Sequence, residues 1–364
     1  MRTLLFNLHL YGALFIGLFV VVIGVTGSIM AFEENLDRLF NPQLFHVQPA
    51  GSTLPVADIF HAAAVAFPGE RINNLRLSQD ETDSVMFRVK GGKQAFLNPY
   101  NGQLLGTRDP NTPLQTIHTI HLTLLIGKSG RAVVASVTGV LLFLVLSGIY
   151  LWWPLKRFKV KWKASLRRVT FDLHNASGIY AALFLLVLGI TGIVVHFDND
   201  IEQFLHKRAG TASIGRNAPS VPQPGVARLT PDQAIQSAVS FLSGTQALSV
   251  TLPANPKGSY VVALRYPEDL TPGGRSWANV DQYSGKVVNY QSSRTAPAGA
   301  RTIILNRAIH TGDIFGYSSK ILVALSALML IIQAITGYYM WWKKLGTKGA
   351  ARQEDANALT GKQA

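Results

Sequence analysis

Residues 6–40 align without a gap with residues 171–205, and residues 121–153 align without a gap with residues 310–342. A chain with this pattern is a duplicated unit, so the packing solution of one copy must serve the other. Each copy carries two apolar runs, at about 10–32 and 131–153 in the first and at 176–197 and 319–342 in the second. Each run is roughly 20 residues or longer and nearly free of charge, enough for a helix to cross about 30 Å of hydrocarbon. A single run is compatible with a buried core helix. Four runs, each ended by aromatic or charged residues, predict a membrane protein, and the hydrophobic share of 48% agrees.

Basic residues set the expected direction. Segment 154–170 holds seven Lys or Arg and no acid, and Arg2 and Lys343-Lys344 fall on the same side. Short basic loops stay in the cytoplasm. Residues 33–130 and 198–318 are then outside, in the periplasm of a Gram-negative cell, and the protein is expected in the bacterial inner membrane with both termini cytoplasmic. The net charge of +14 calls for no nucleic acid, because much of it sits in this loop, where membrane lipid is the expected partner. A cleaved signal peptide is the rival reading of the N-terminus. The run is long for one, and its partner in the second copy is internal, so a retained helix is expected.

The outer segments mix helix and strand. Residues 54–67 have helical spacing, and 73–78, 84–90 and 93–100 alternate as strands, the last closing on a turn at Asn101-Gly102. The second copy repeats the order. A helix is expected at 229–242 behind Thr230-Pro231, and strands at QALSVTL, SYVVALRY and WANVDQYSGKVVNY. The expected fold is a membrane protein with four transmembrane helices in two parallel repeats, each with an inserted periplasmic α+β domain. The transmembrane helices fall in 1–32, 131–153, 176–197 and 319–342, and the outer domains in 33–115 and 198–305. Interfacial helices and loops occupy 116–130 and 306–318, a basic cytoplasmic loop 154–175, and a cytoplasmic tail 343–364. The linker 209–228 and the tail after about 346 are expected to be flexible.

Four of the nine histidines are matched by the duplication: His9 with His174 and His121 with His310. Parallel repeats are related by an axis along the membrane normal, which lets equivalent residues face each other. His9 and His174 then meet at the inner face, and His121 and His310 at the outer face. Two imidazoles without a third ligand suit the iron of a flat macrocycle better than a bare ion, since zinc takes four ligands. The chain has no cysteine, which excludes disulfides, cysteine-held iron–sulfur clusters and thioether-linked haem. Two haem groups per chain, held without thioether bonds, are the expected cofactors. There is no dinucleotide fingerprint and no P-loop.

Other residues take secondary places in this scheme. Arg131 and its counterpart Lys320 flank the outer pair, as propionate partners or helix-end markers. His118, whose counterpart is Arg307, is expected to support the site from behind its ligands or to face a propionate, and His196, whose counterpart is Ala31, is a reserve ligand. Asp172 is a candidate to accept the second N–H of His174. Phe15, Phe19, Phe143 and Phe184 are candidates to lie between the two sites, and His46, His61 and His206 read as solvated. Arg275, Trp277, Arg301 and Arg307 read as solvated or structural groups rather than ligand contacts. The Trp152-Trp153 and Trp341-Trp342 pairs are expected to anchor an interface. The G-x-T-G sequences at Gly24–Gly27 and Gly189–Gly192 are expected to allow close helix packing.

The helix starts around His9 and His174, the G-x-T-G helices, FLNPYNGQLLG and NVDQYSGKVV, the I-H-T-G element at 309–312 and the paired Trp exits together resemble PepSY-associated transmembrane proteins over about 1–345. Within that group the chain is similar to the iron-regulated inner-membrane proteins that include di-haem ferrisiderophore reductases. The resemblance implies PepSY-like outer domains, b-type haem on His9, His174, His121 and His310, and reduction of a ferric siderophore to release Fe(II). One departure is that Tyr11-Gly12 becomes Ala176-Ser177-Gly178 in the second copy. Two other readings stay open: a non-redox PepSY sensor or peptidase-modulating protein, and a siderophore or iron transporter with Gln333 as its main midplane polar group. The electron donor of a reductase is open between quinol and a cytoplasmic reductase.

Overall fold

The computed structural model describes residues 1–210 and 218–360. Helix α1 (Arg2–Met30) leads into two short helices, α2 (Glu33–Phe40) and α3 (Pro42–Phe45), and then α4 (Val56–Ala66). Four strands follow: β1 (Asn74–Arg76), β2 (Val85–Arg88), β3 (Gln94–Leu97) and β4 (Leu104–Arg108). Helix α5 (Pro113–Thr123) returns the chain to the long helices, and α6 (Gly127–Trp152) runs back along α1. The second half repeats much of this order. It has α7 (Leu166–His196), α8 (Asp198–Ala209) and α9 (Pro231–Phe241), then β5 (Gln246–Thr251), β6 (Ser259–Arg265), β7 (Ser276–Asp281) and β8 (Val287–Gln291). It closes with α10 (Ala298–Thr311) and α11 (Tyr317–Thr360).

Four helices are long and apolar enough to cross a membrane: α1, α6, α7 and the Tyr317–Lys344 part of α11. They form a ring in which α1 and α7 each pack against both α6 and α11. Ile16, Val20, Val137, Ala181, Leu185 and Leu330 fill its centre. The outward sides carry bare apolar groups, with Phe15 82% and Leu183 67% exposed. Helices apolar on all sides belong in hydrocarbon or in a protein core, and these outward faces have no protein cover. Helix α7 starts at Leu166, well before the expected 176, so His174 lies about two turns inside it.

The outer strands do not form two separate domains, as the repeat pattern led one to expect. They join edge to edge in one antiparallel sheet of eight strands, ordered β4-β3-β2-β1-β5-β6-β7-β8. The junction sets Leu75 opposite Val250, both fully buried. Pairing β1 with β5 removes two exposed strand edges at once, which alone is a reason to merge. Helices α4 and α9 share a single apolar core with both halves, including Ile59, Ala63, Ala234 and Ala238. Asp232 of α9 also accepts the free N–H groups of Val56 and Ala57 at the start of α4, at 2.7 and 3.0 Å. Helix α9 has its own capping box between Thr230 and Gln233.

Each predicted strand forms where alternation placed it. Strand β4 and helices α2, α3 and α8 are additions. Strand β4 lies at the sheet edge and lacks a regular buried–exposed alternation, so it left no period-2 signal. Residues 211–217, within the expected flexible linker, and 361–364, within the expected tail, lie outside the described residues. The rest of the tail continues α11 to Thr360.

Candidate functional site

The four matched histidines are seated in one way. Nδ1 of His9 lies 2.8 Å from Ser147 Oγ, and Nδ1 of His174 lies 2.9 Å from Thr336 Oγ1. Nδ1 of His121 lies 3.2 Å from Thr26 Oγ1, and Nδ1 of His310 lies 3.0 Å from Thr191 Oγ1. Each hydroxyl gives its own proton to a carbonyl of its helix: Ser147 to Leu144, Thr26 to Val22, Thr191 to Val187 and Thr336 to Ile332. Its oxygen is therefore left to accept from the imidazole. His121 Nδ1 is also 2.9 Å from the Ile23 carbonyl, which can only accept. The network assigns the proton to Nδ1 and leaves the Nε2 lone pair available, the tautomer an Nε2 metal ligand needs.

A glycine follows each hydroxyl and makes room for the ring. A Cβ added at Gly27, Gly192, Gly148 or Gly337 would lie 2.8, 3.1, 3.3 or 3.7 Å from Cε1 of His121, His310, His9 or His174. The G-x-T-G sequences thus divide their work. Gly24 and Gly189 serve helix packing, against Ala327 and Leu330 in one case and Leu142 in the other. Thr26-Gly27 and Thr191-Gly192 hold a histidine, a role that sequence reading missed, as it missed Ser147 and Thr336. A signal was present. The helices contain other hydroxyl–glycine dipeptides, such as Ser129-Gly130, Thr138-Gly139 and Ser177-Gly178, but only those matched in both copies seat a ring.

The histidines form two levels. Thr26 is 17 residues beyond His9 on α1, which spaces the levels by about 26 Å at 1.5 Å per residue. His9 and His174 line a single cavity of ≈ 1040 Å³ formed by all four long helices. Its walls are mostly apolar, and its mouth carries Arg2, Arg167, Arg168, Lys343 and Lys344. The other pair sits on the short helices α5 and α10, beside the sheet. Helix α5 is capped by Thr112 and ends in left-handed Leu124, and α10 ends in left-handed Gly312. Gly130 of α6 approaches this turn so closely that a Cβ there would overlap the Thr123 carbonyl. Burial first, and then the proximity of His121, push His310 down to about 4, and burial also lowers His121. Both rings are thus neutral at neutral pH.

A matched pair of ion pairs braces this second level. Glu33 meets His118 at 2.8 Å, and its counterpart Asp198 meets Arg307 at 3.5 Å. The hydrogen bond that His118 donates to Glu33 raises the His118 pKa above its ordinary value, against burial. His118 is therefore a bracing residue on α5, with its ring turned to a carboxylate of the chain itself. Lys320 is held by Asp313 at 2.9 Å, while Arg131 is exposed.

Several other expectations are corrected. Asp172 is 1% exposed and bonds Arg157 and Arg168, at 3.0 and 2.9 Å, so it anchors the basic loop and leaves His174 to Thr336. His196 packs edge-on against Phe197 with ring centres 4.4 Å apart. His206 is buried, 3.5 Å from Glu202, whereas His46 and His61 are exposed. Phe15, Phe19 and Phe143 are 82, 39 and 38% exposed and Phe184 is half-buried, while the side chains filling the bundle centre are aliphatic. Trp277 is 2% exposed, as befits a structural residue. Gln333 donates to the His174 carbonyl at 3.0 Å and to Ser177 Oγ at 2.6 Å. Its counterpart contact is Leu144 against Gly12, so the asymmetry in the second copy is a polar bridge replacing an apolar touch.

Among the described residues no three His, Cys, Asp or Glu side chains gather as a bare metal ion would require. What the structure brings together is two pairs of imidazoles, one pair at each level. A comparison with curated proteins finds no match for the chain. The family model for the PepSY-associated TM region matches residues 6–344, nearly all of the helical bundle together with the sheet, and the chain belongs to this family.

Proposed function

We propose that the protein is a di-haem b reductase of the bacterial inner membrane, passing electrons across the bilayer to a ferric siderophore in the periplasm. The observation that carries this reading is the common seat of the four histidines, two at each level, with Nδ1 engaged and Nε2 available. At the level on α1 and α7 the residues present fit haem. The ≈ 1040 Å³ cavity is walled by apolar side chains and has an imidazole from α1 and another from α7. When bound, haem supplies one-electron exchange at its iron. The protein holds neutral imidazoles in position through Ser147, Thr336, Thr26 and Thr191. Its aliphatic centre keeps water out of the space between the levels.

In this reading the two copies are parallel repeats, His9 and His174 face the cytoplasm, and the sheet with His121 and His310 faces the periplasm. The basic 154–165 loop supports that direction. The donor is a quinol or a cytoplasmic reductase, and the acceptor is the ferric chelate. Hard-oxygen chelators hold iron(II) far more weakly than iron(III), so one-electron reduction releases the metal.

The test is the optical spectrum of the purified protein, oxidised and then dithionite-reduced, with haem counted per chain. Two haems are expected, one lost in His9→Ala and the other in His121→Ala. The reduced protein should be reoxidised by a ferric siderophore, with Fe(II) trapped by a chelator. A colourless protein, or haem content untouched by both substitutions, overturns the reading.

A further inference from the structure

The mouth of the cavity around His9 and His174 has five basic residues and no Asp or Glu in its lining. Arg168 is committed to Asp172. Arg2 and Arg167, exposed like Lys343 and Lys344, differ from them in being matched by the duplication: extending the 6–40 alignment back four residues sets Arg2 on Arg167. Each stands seven residues before its histidine, Arg2 before His9 and Arg167 before His174. Seven residues on a helix are two turns on one face, about 10 Å along the axis. The arginines are thus presented on the same side of α1 and α7 as the imidazoles, displaced toward the open end. Arg2 gives one N–H to the Leu151 carbonyl at 3.2 Å, which leaves other guanidinium donors for a ligand.

A ligand that fills this space has an apolar body, takes imidazoles at its centre and carries anionic groups along one edge. Building on the haem reading above, we propose that Arg2 and Arg167 bind the two propionate carboxylates of the haem held between His9 and His174. A guanidinium pairs with a carboxylate through two parallel N–H bonds, and a repeat-matched pair supplies one fork per propionate. The basic pair expected in this role from sequence, Arg131 and Lys320, flanks the other level, where Lys320 already bonds Asp313.

The experiment follows haem transfer from the full chain in nanodiscs to excess apomyoglobin, using haem and its dimethyl ester. In the wild type the inner site should release the ester at least about tenfold faster than the free acid, the range of lost charged hydrogen bonds. R2Q/R167Q should release free-acid haem from the inner site at the ester's rate and leave ester release unchanged. The second haem of the same molecules, unaltered, reports that the variant has folded. R2K/R167K should recover part of the retention, and K159Q/K163Q, which removes two charges from the basic loop outside the cavity, should change nothing. Equal release of acid and ester by the wild type overturns the proposal, as does equal acceleration of both by R2Q/R167Q, which would mark a general surface charge that attracts lipid. A wild type that takes up no haem at all overturns the haem reading itself.

Discussion

The two histidine levels use the same seat but are built with different tolerance. At the level on α1 and α7, the rings stand in a roomy cavity, and Gly337 leaves ordinary clearance behind His174 while Gly148 stands closer to His9. At the level on α5 and α10, the rings are clamped. Gly27 and Gly192 touch them more closely, tight turns end both short helices, and an ion pair braces each helix one turn before its histidine. The physical reason is what each helix rests on. His9 and His174 belong to long helices already fixed by packing along their length. His121 and His310 belong to helices of 11 and 14 residues, which on their own are marginal and need tertiary anchors.

The largest effects that would break this comparison come from the glycines. Gly27→Ala would force a Cβ to 2.8 Å from His121, while Gly337→Ala leaves an ordinary 3.7 Å to His174. The first should cut occupancy of the site beside the sheet roughly tenfold or more, the scale of 1–3 kcal/mol of overpacking. The second should leave haem content unchanged. A pyridine haemochrome assay on both variants measures this, and equal losses would erase the difference between the levels.

Removing the hydroxyls comes next. Ser147→Ala strips the hydroxyl partner from His9 Nδ1, and loss of such a partner costs about 10–100-fold in affinity at metal sites, whereas Thr26→Val leaves His121 Nδ1 the Ile23 carbonyl at 2.9 Å. Haem release should quicken at the matching level alone, with the larger factor in Ser147→Ala and the smaller in Thr26→Val, where the Ile23 carbonyl still holds the ring.

Asp232→Ala tests the sheet separately. It removes the carboxylate from the start of α4 and should cost about 1 kcal/mol, read as a lower unfolding midpoint, with both haem bands unchanged. A spectral change would mean that the sheet and the histidine levels are coupled more tightly than their separate cores imply.

The smallest effect is a pH dependence that distinguishes the two braces. Glu33 raises the folded pKa of His118, so the stability from this pair is fully present below the ordinary histidine value of about 6.5 and fades as pH rises through the raised folded value. Both partners are about one-third exposed, which limits the contribution to under about 1 kcal/mol. The matching brace, Arg307 with Asp198, contains no histidine. Thermal unfolding of the haem-free chain from pH 5.5 to 8.5 should show a shallow decline that Glu33→Gln flattens. A slope that persists in Glu33→Gln would assign the titration elsewhere.

The sequence by itself determined the spanning helices, the places of most strands and the two repeat-matched pairs of histidines. Each of these is written in a period or in the duplication, and hydrocarbon leaves a long apolar run few alternatives to a helix. Only the tertiary structure decided which groups hold the rings. Thr26, Ser147, Thr191 and Thr336 are 95 to 162 residues from their histidines, and no local pattern reports a contact across such distances. The same holds for Asp172, which sits two residues from His174 and yet turns to Arg157 and Arg168. The merging of the strands into one sheet also belongs to the tertiary structure. Strand β1 reads alike whether its edge meets water or β5, and β5 ends that choice by leaving neither edge unpaired.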